Sequence, residues 1–159
     1  MTTDPTIAVV DYAAAAIDRT LVILAPVDRV WETITQPDLI AEWFGDSATI
    51  DALEPGAGGS ITWDDRGTCA ILVDEVDEPS VFAFRWGPSD LAVTAQNSTL
   101  VRFTLEEMRG GTQLSVVETG FADAYPDHEV MTAELDEHAS GWNSRLDELA
   151  ELLEKQDSQ

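Results

Sequence analysis

The spacing of apolar residues changes twice along the chain, and each change marks a different kind of element. Ile17 to Ala25 is rich in β-branched residues and leucine, which predicts a first strand. Pro26 then occupies the favoured first position of a helix, and Pro37 begins a second helix that Gly45 ends. Two short helices are therefore predicted, with apolar residues at helical spacing at Val27, Val30, Trp31, Ile34, Leu39, Ile40, Trp43 and Phe44.

From residue 48 to residue 120, apolar and polar residues alternate, and turn residues divide the segment into short pieces. This pattern predicts a run of antiparallel strands, which together with the first strand makes seven. The six predicted strands lie near Ala48–Leu53, Gly59–Asp64, Gly67–Val76, Val81–Trp86, Ser98–Glu107 and Thr112–Gly120.

The last part of the chain returns to helical spacing after a loop at residues 121–127. A long helix is predicted from His128 to Lys155, and we expect Gly141 inside it to permit a close approach to the sheet or to the short helices. Its buried stripe is predicted to consist of Met131, Leu135, His138, Trp142, Leu146, Leu149 and Leu153.

One arrangement buries all of these apolar faces. The predicted fold is α+β: a curved, seven-stranded antiparallel sheet wraps around the long C-terminal helix, and the two short helices close one end. We expect a flexible N-terminal arm at residues 1–16, a single domain at 17–155 and a tail at 156–159.

The net charge of the chain limits the classes of partner that it is expected to bind. The chain has 31 acidic and 8 basic residues, a formal net charge of −23. Nucleic acid and anionic membranes are not expected as partners, because both bind clustered lysine or arginine. The acidity fits either a solvated shell that aids solubility or adaptation to high salt, where counterions screen self-repulsion.

Apolar runs and cysteine content indicate the compartment. No run approaches the roughly 20 apolar residues of a membrane span, and the first residues do not resemble a signal peptide, so a cytoplasmic protein is expected. Cys69 is the single cysteine, which excludes an internal disulfide and predicts a buried strand thiol rather than a catalytic one.

Five segments, taken in order, resemble a known family. The chain is similar to the helix-grip superfamily of START-like and birch-pollen-allergen-like (SRPBCC) domains, and in particular to the branch named for the C-terminal domain of the activator of Hsp90 ATPase. That resemblance implies a helix-grip fold with a cavity between the long helix and the concave sheet. The segments are APVDRVWETITQPDLIAEWFG from Ala25, GGSITW from Gly58, FAFRW from Phe82, VVETGF from Val116 and HASGWNSRLDELAELLE from His138.

Aromatic residues are the candidate walls of such a cavity. They either line an open pocket, as ligand sites commonly do, or fill the space completely. The candidates for contact with a ligand are Trp43, Trp63, Phe84, Trp86, Phe103, Phe121 and Trp142, together with the polar residues Glu118 and His138.

Glu118 and His138 are the candidates for chemistry. Strand alternation places Glu118 on the same face as Leu114 and Val116, where a buried carboxylate can act as an acid, a base or a hydrogen-bonding group. Alternatively, it lies in water at the open end of its strand, or pairs with Arg85 or Arg102.

His138 lies on the inner face of the long helix, either lining the cavity or at its boundary. Glu134 and His138 have i, i+4 spacing, but no HExxH motif accompanies them, so we expect neither a metal nor a cofactor.

The function predicted is binding of an apolar or aromatic small molecule rather than catalysis. A cyclase-like or hydrolase-like enzyme using Glu118 or His138 is the alternative, and a chaperone or stress-response partner comes third. An Hsp90-type chaperone is not expected, because the chain has no room for the other domain of the full co-chaperone. A homodimer is plausible through sheet edges or through residues 87–97.

Overall fold

The computed structural model describes residues 7–65, 67–87 and 93–157. One antiparallel sheet has the strand order β1-β2-β8-β7-β6-β5-β4-β3. The strands are β1 (Val9–Asp11), β2 (Ala16–Ile23), β3 (Ser47–Ile50), β4 (Gly58–Trp63), β5 (Gly67–Asp77), β6 (Val81–Trp86), β7 (Thr99–Met108) and β8 (Gly111–Thr119). The helices are α1 (Val27–Thr35), α2 (Pro37–Trp43), α3 (Phe121–Ala124) and α4 (His128–Asp157).

This architecture confirms the predicted α+β helix-grip fold, with one correction to the strand count. The sheet has eight strands rather than seven, because β1 forms within the segment that we predicted to be a flexible arm. Val9 pairs with Asp18 of β2, and the backbone N–H of Ala8 donates to Asn143 Oδ1 of α4 at 2.7 Å. A strand of three residues is too short to show alternation, so the sequence pattern gave no sign of it.

A second difference lies between the sheet and the long helix. The segment at 121–127, predicted to be a loop, begins with the single-turn helix α3. Gly120 precedes it with φ of 90°, a left-handed conformation that glycine adopts without strain, and Phe121 is fully buried. The turn aims Phe121 into the core and sends the chain into α4.

The core lies between the concave face of the sheet and the three longer helices. Leu135, Leu146, Leu149 and Leu153 of α4 are fully buried, as their spacing predicts. Helix α4 packs most extensively on β1, β2, α2 and α3, and a cleft separates its other side from the ends of β4 and β5. The candidate site lies in this cleft.

Among the described residues, no helix combines the length and the apolar character needed to cross a membrane.

Candidate functional site

Glu118 is a buried carboxylate that accepts hydrogen bonds from several side chains. It lies near the end of β8, faces the interior as alternation predicts, and is fully buried. The indole N–H of Trp142 donates to Oε1 at 2.8 Å, while the indole N–H of Trp86 and the hydroxyl of Thr99 donate to Oε2 at 2.9 and 2.6 Å. His138 is the fourth donor, so side chains from β6, β7 and α4 converge on one carboxylate.

The imidazole of His138 bridges Glu118 and the rim of an open cleft. Nδ1 lies 3.0 and 2.9 Å from the two carboxylate oxygens of Glu118, and Nε2 lies 3.4 Å from Glu134 Oε2. Of the sequence-based alternatives for Glu118, pairing is thus realised, but with His138 rather than with an arginine. Arg102 instead contacts Glu75 on the outer face of the sheet.

In this pair the pKa of Glu118 is lowered and the pKa of His138 is raised. Burial raises the pKa of Glu118, but the hydrogen bond and charge of His138, with the hydrogen bonds of Thr99 and Trp142, outweigh it and hold the pKa below its ordinary value. Burial lowers the pKa of His138, but Glu118, with smaller contributions from Glu134 and Glu137, raises it overall. The two shifts therefore favour a carboxylate–imidazolium pair over the neutral forms of the two groups.

A cleft of about 790 Å³ opens beside this pair, between α4 and the ends of β4, β5 and β6. Its floor is aromatic, because Phe44, Trp63, Trp86 and Trp142 present their rings to it. Polar side chains of α4 and of the β4–β5 turn form the rim. A cleft of this size falls in the range of about 300–1,000 Å³ that is typical of small-molecule sites.

Side chains are closely packed in the interior between the short helices and the sheet. A void of about 10 Å³ remains between the short helices and the sheet, which is room for about one water molecule. Phe82, Phe84 and Phe103 pack as stacked or tilted rings at its wall. Phe44 lines both the void and the cleft, so it belongs to the wall between them.

The nine predicted ligand-contacting residues therefore separate into two groups. Trp63, Trp86, His138 and Trp142 line the cleft, and Glu118 lies directly behind three of them. The other four occupy the packed core away from the cleft: Trp43, Phe84, Phe103 and Phe121. Alternation and helical spacing predict which residues face inward, but not which side of the interior stays open.

Sequence reasoning missed several residues of the cleft. Tyr125 follows α3 and contributes a half-buried ring, while Thr99 and Phe44 come from element ends whose direction the pattern could not indicate. Cys69 borders the cleft from β5, and burial raises its pKa to about 11, so its thiol stays protonated at neutral pH.

Gly141 also lines the cleft, and the reason that we predicted for it is wrong. A Cβ at this position would meet no atom within 4 Å, so the glycine does not permit a close approach. Its absent side chain instead leaves open volume above the aromatic floor.

In the described part of the chain, no group of three or more histidine, cysteine or acidic residues is arranged to hold a metal ion.

Comparison with known proteins identifies relatives of this fold. The model of the family described as "Activator of Hsp90 ATPase homolog 1-like protein" matches residues 24–154. A search of curated proteins found no match.

Among solved structures, DynU16, a protein in the dynemicin biosynthetic locus, is 28% identical with a TM-score of 0.70. The match covers 88% of this chain but 47% of DynU16, so the chain spans about half the length of that protein. Protein Ms6760 from Mycobacterium smegmatis is 26% identical with a TM-score of 0.71, over 93% of this chain and 96% of that protein. The Aha1 dimer from Colwellia psychrerythraea shares the fold at 14% identity and a TM-score of 0.67, over 87% of this chain and 96% of that one.

Proposed function

The chain belongs to the family of activator of Hsp90 ATPase homolog 1-like proteins, and from that premise we propose that it binds an aromatic or apolar small molecule in the cleft beside α4. The observation that carries the proposal is the open volume above a floor of tryptophan rings. Trp63 and Trp86 are only partly buried, whereas a core that needed only to be stable would bury such rings completely, because exposed apolar surface weakens the driving force of folding.

The floor of the cleft offers ring surface and few hydrogen-bonding groups. The indole N–H of Trp63 donates to the carbonyl of Phe44 at 2.8 Å, and the indoles of Trp86 and Trp142 donate to Glu118. With these N–H groups directed at the protein, the exposed parts of the Trp63 and Trp86 rings offer a guest ring carbons, while the rim offers polar side chains. Flat aromatic ligands suit such a surface, because offset or edge-to-face ring contacts add to the energy of burial.

His138 is the polar group that can orient a ligand. Its Nδ1 is held by Glu118, while its Nε2 side faces the rim of the cleft, and the side chain is 19% exposed. Glu118 itself already accepts four hydrogen bonds. We therefore assign direct contact with the ligand to His138 and the positioning of His138 to Glu118.

Nuclear magnetic resonance with 2-naphthalenemethanol as the probe tests this proposal. The five tryptophans each give an indole N–H signal. Binding in the cleft should shift the signals of Trp63, Trp86 and Trp142, while Trp31 and Trp43, which lie outside the cleft, serve as internal references. Shifts spread equally over all five, or no saturable shift, would contradict the proposal.

A blocking variant makes the test independent of the signal assignment. Gly141→Leu places a side chain in the open volume, whereas Ala133→Leu adds the same side chain on an exposed position of α4 outside the cleft. We expect Gly141→Leu to abolish binding of the probe and Ala133→Leu to leave it unchanged. Because leucine is a better helix former than glycine, loss of folding is not expected for Gly141→Leu.

Catalysis on an enclosed ligand is the second candidate, and the Glu118–His138 pair is the observation that favours it. A carboxylate that holds one imidazole nitrogen and leaves the other toward a cleft is a common arrangement for general acid–base chemistry. The raised pKa of His138 favours its protonated form, which can act as a general acid. DynU16, from a biosynthetic locus, gives this cyclase-like or hydrolase-like alternative its context.

His138→Gln separates the two candidates once a converted compound is known. A binding protein keeps most of its affinity with glutamine, which still offers a hydrogen-bond donor. An enzyme keeps its affinity but loses turnover by about 10²–10⁴-fold, the usual contribution of a positioned acid or base. Equal turnover in both proteins would remove His138 from the mechanism.

A homodimer and a cytoplasmic location remain part of the proposal. The dimer of the Colwellia Aha1 protein is the precedent for self-association. Five residues of the 87–97 segment, which we considered as an interface, lie outside the described residues. Light scattering after size-exclusion chromatography measures the mass directly, and a constant monomer mass across concentrations would exclude the dimer.

A further inference from the structure

Charged side chains around the cleft are mostly of one sign. Among the described residues, four carboxylates line it, with one guanidinium and the imidazole of His138, and the four are Asp65, Glu134, Glu137 and Glu148. The two positive groups already have partners: Arg145 Nη1 lies 3.6 Å from Glu148 Oε2, and His138 contacts the buried Glu118. Two of the rim carboxylates, Glu148 and Glu134, are among these partners, but over the described residues the four carboxylates outnumber the two positive groups, so the net charge of the rim is negative.

Tyr125 lines the cleft, and the nearby negative charges affect the pKa of its hydroxyl. Burial is the main cause that raises the pKa of its hydroxyl, and the charges of Glu134, Glu118 and Glu137 raise it further. Those charges lie on two different elements, α4 and β8, so the effect belongs to the cleft and not to one exposed residue. An anionic group of a ligand placed in the cleft is disfavoured for the same reason.

The aromatic floor also favours a positive charge. Tryptophan has the most negative ring face of the aromatic residues and attracts a cation placed over it, most strongly where water is partly excluded. Since the indole N–H groups of Trp63 and Trp86 are engaged by the protein and both rings are only partly buried, their ring surfaces are what remains available to a ligand.

We infer that the cleft is selective for cationic aromatic ligands, that is, flat ring systems that carry an amine or another positive group. The inference rests on the proposed function and adds the charge class of the ligand. The ring system lies over the tryptophan floor, and the positive group lies among the carboxylates of the rim. Among the described residues, an anionic ligand would face four carboxylates against one guanidinium and one imidazole.

Three naphthalene compounds of nearly equal size test the inference by isothermal titration calorimetry at pH 7. They are 2-naphthylmethylammonium, 2-naphthalenemethanol and 2-naphthoate, which are cationic, neutral and anionic. We expect the ammonium compound to bind about tenfold more tightly than the alcohol, a preference within the range of a partly desolvated cation–π contact. The carboxylate should not bind.

Two double variants separate the local charge of the cleft from the charge of the whole molecule. Asp65→Asn with Glu137→Gln removes two rim carboxylates on opposite sides of the cleft. Asp18→Asn with Glu32→Gln removes the same charge from exposed positions outside it. The first pair should reduce the preference for the ammonium compound over the alcohol to about two- to threefold. The second should leave it close to tenfold, because water and salt screen exposed charges that do not line the cleft.

The possible outcomes distinguish a failure of the charge inference from a failure of the proposed binding function. If the alcohol binds as tightly as the ammonium compound, the charge inference is wrong and the proposed binding function stands. If both double variants reduce the preference equally, the preference comes from the net charge of −23, and the inference about the cleft is again wrong. If none of the three compounds binds, the proposed function itself fails.

Discussion

Glu118 acts as a shared hydrogen-bond acceptor more than as a reactive group. Its two oxygens receive hydrogen bonds from Trp86, Thr99, His138 and Trp142, side chains that belong to a strand end, a strand start and the long helix. A carboxylate accepts without donating, so one residue can satisfy all of these donors in a buried site. The same interactions that hold the cleft together thus keep this carboxylate ionised.

Glu118→Gln is expected to be strongly destabilising. The amide places a donor among four donors and removes the charge opposite His138, so at least one buried group loses its partner. We expect a loss of about 3–5 kcal/mol in the free energy of unfolding, the usual cost of breaking a buried pair. Urea denaturation at pH 7 measures it, and nuclear magnetic resonance should show a lower pKa for His138.

Thr99→Val is the milder comparison for that substitution. It removes one donor and keeps the carboxylate, so a loss of about 1.5–3 kcal/mol is expected, the range for a hydrogen bond to a charged group. A Glu118→Gln protein as stable as the wild type would show that the carboxylate contributes nothing to the fold.

The contribution of the Glu118–His138 pair depends on pH in a defined window. The raised pKa of His138 makes its contribution complete below the ordinary value of 6.5 and lost as pH rises through the raised value. The lowered pKa of Glu118 makes its contribution complete above the ordinary value of 4.5 and lost as pH falls through the lowered value. The pair is therefore most stabilising between pH 4.5 and 6.5.

His138→Gln tests this window. Relative to wild type, the variant should lose about 1.5–3 kcal/mol of unfolding free energy inside the window and progressively less as the pH rises above it. Urea denaturation at a series of pH values gives the difference. His128→Gln, at the exposed start of α4, is the matched control. A difference that does not vary with pH would contradict the assignment of a charged pair.

Helix α4 depends on more than its leucine stripe for its position. Arg19 of β2 is 2% exposed, and its Nη1 donates to the backbone carbonyls of Trp142 and Asn143 at 3.1 and 2.9 Å. Its Nη2 donates to Asp147 at 2.6 Å. These contacts hold β2 against the turn of α4 that carries Trp142, and Trp142 lines the cleft.

Arg19→Lys is expected to weaken that connection, because an ammonium group cannot reach the two carbonyls and Asp147 with the geometry of a planar fork. The expected loss is about 1.5–3 kcal/mol of unfolding free energy, with a shift of the Trp142 indole signal. Asp147 is 68% exposed, so Asp147→Asn should cost about 0–1 kcal/mol. If Asp147→Asn costs as much as Arg19→Lys, the ion pair rather than the carbonyl contacts holds the helix.

The whole molecule carries 31 acidic residues against 8 basic ones, and among the described residues Arg19 and Glu118 are the charged residues that are buried. Self-repulsion of like charges destabilises the compact state, and salt screens it. Both a solvated shell and adaptation to high salt produce such a composition, and the two differ in how strongly stability responds to salt.

Thermal unfolding in potassium chloride measures that response. If repulsion is strong, the melting temperature should rise from low to molar salt by about 2–4 °C for each 1 kcal/mol of repulsion that is screened. The Glu118–His138 pair is buried and less accessible to screening, so His138→Gln should show the same rise. An unchanged or lower melting temperature in molar salt would count against adaptation to high salt.

Much of the fold was predictable, because elements form through local periodicity. The alternation in Val81–Trp86 and the helical spacing after His128 predicted β6 and α4 at the positions where they lie. The segments that carried the family resemblance were themselves elements of the core, and the family match at residues 24–154 confirmed them. Short elements were missed: three residues of β1 and four of α3 contain too few positions for any period.

The candidate site was predictable only in part. Alternation in β8 and spacing in α4 correctly turned Glu118 and His138 inward, and both meet behind the cleft. Periodicity says which face of an element is buried, because that depends on a few neighbouring residues. It does not say which buried rings touch one another, and so Trp43 and Trp63 looked equivalent although one is core and the other lines the cleft.

The order and type of the long elements and the inward direction of their side chains thus follow from the chain alone, since propensity and amphipathic spacing act over a few residues. The strand order, the closely packed interior and the cleft beside α4 depend on contacts between residues far apart in the chain, where the volumes of many side chains must fit together at once. Gly141 is an example of both levels. The sequence shows that a glycine lies inside the long helix, but the open volume beside it exists only because the folded sheet curves away from that helix.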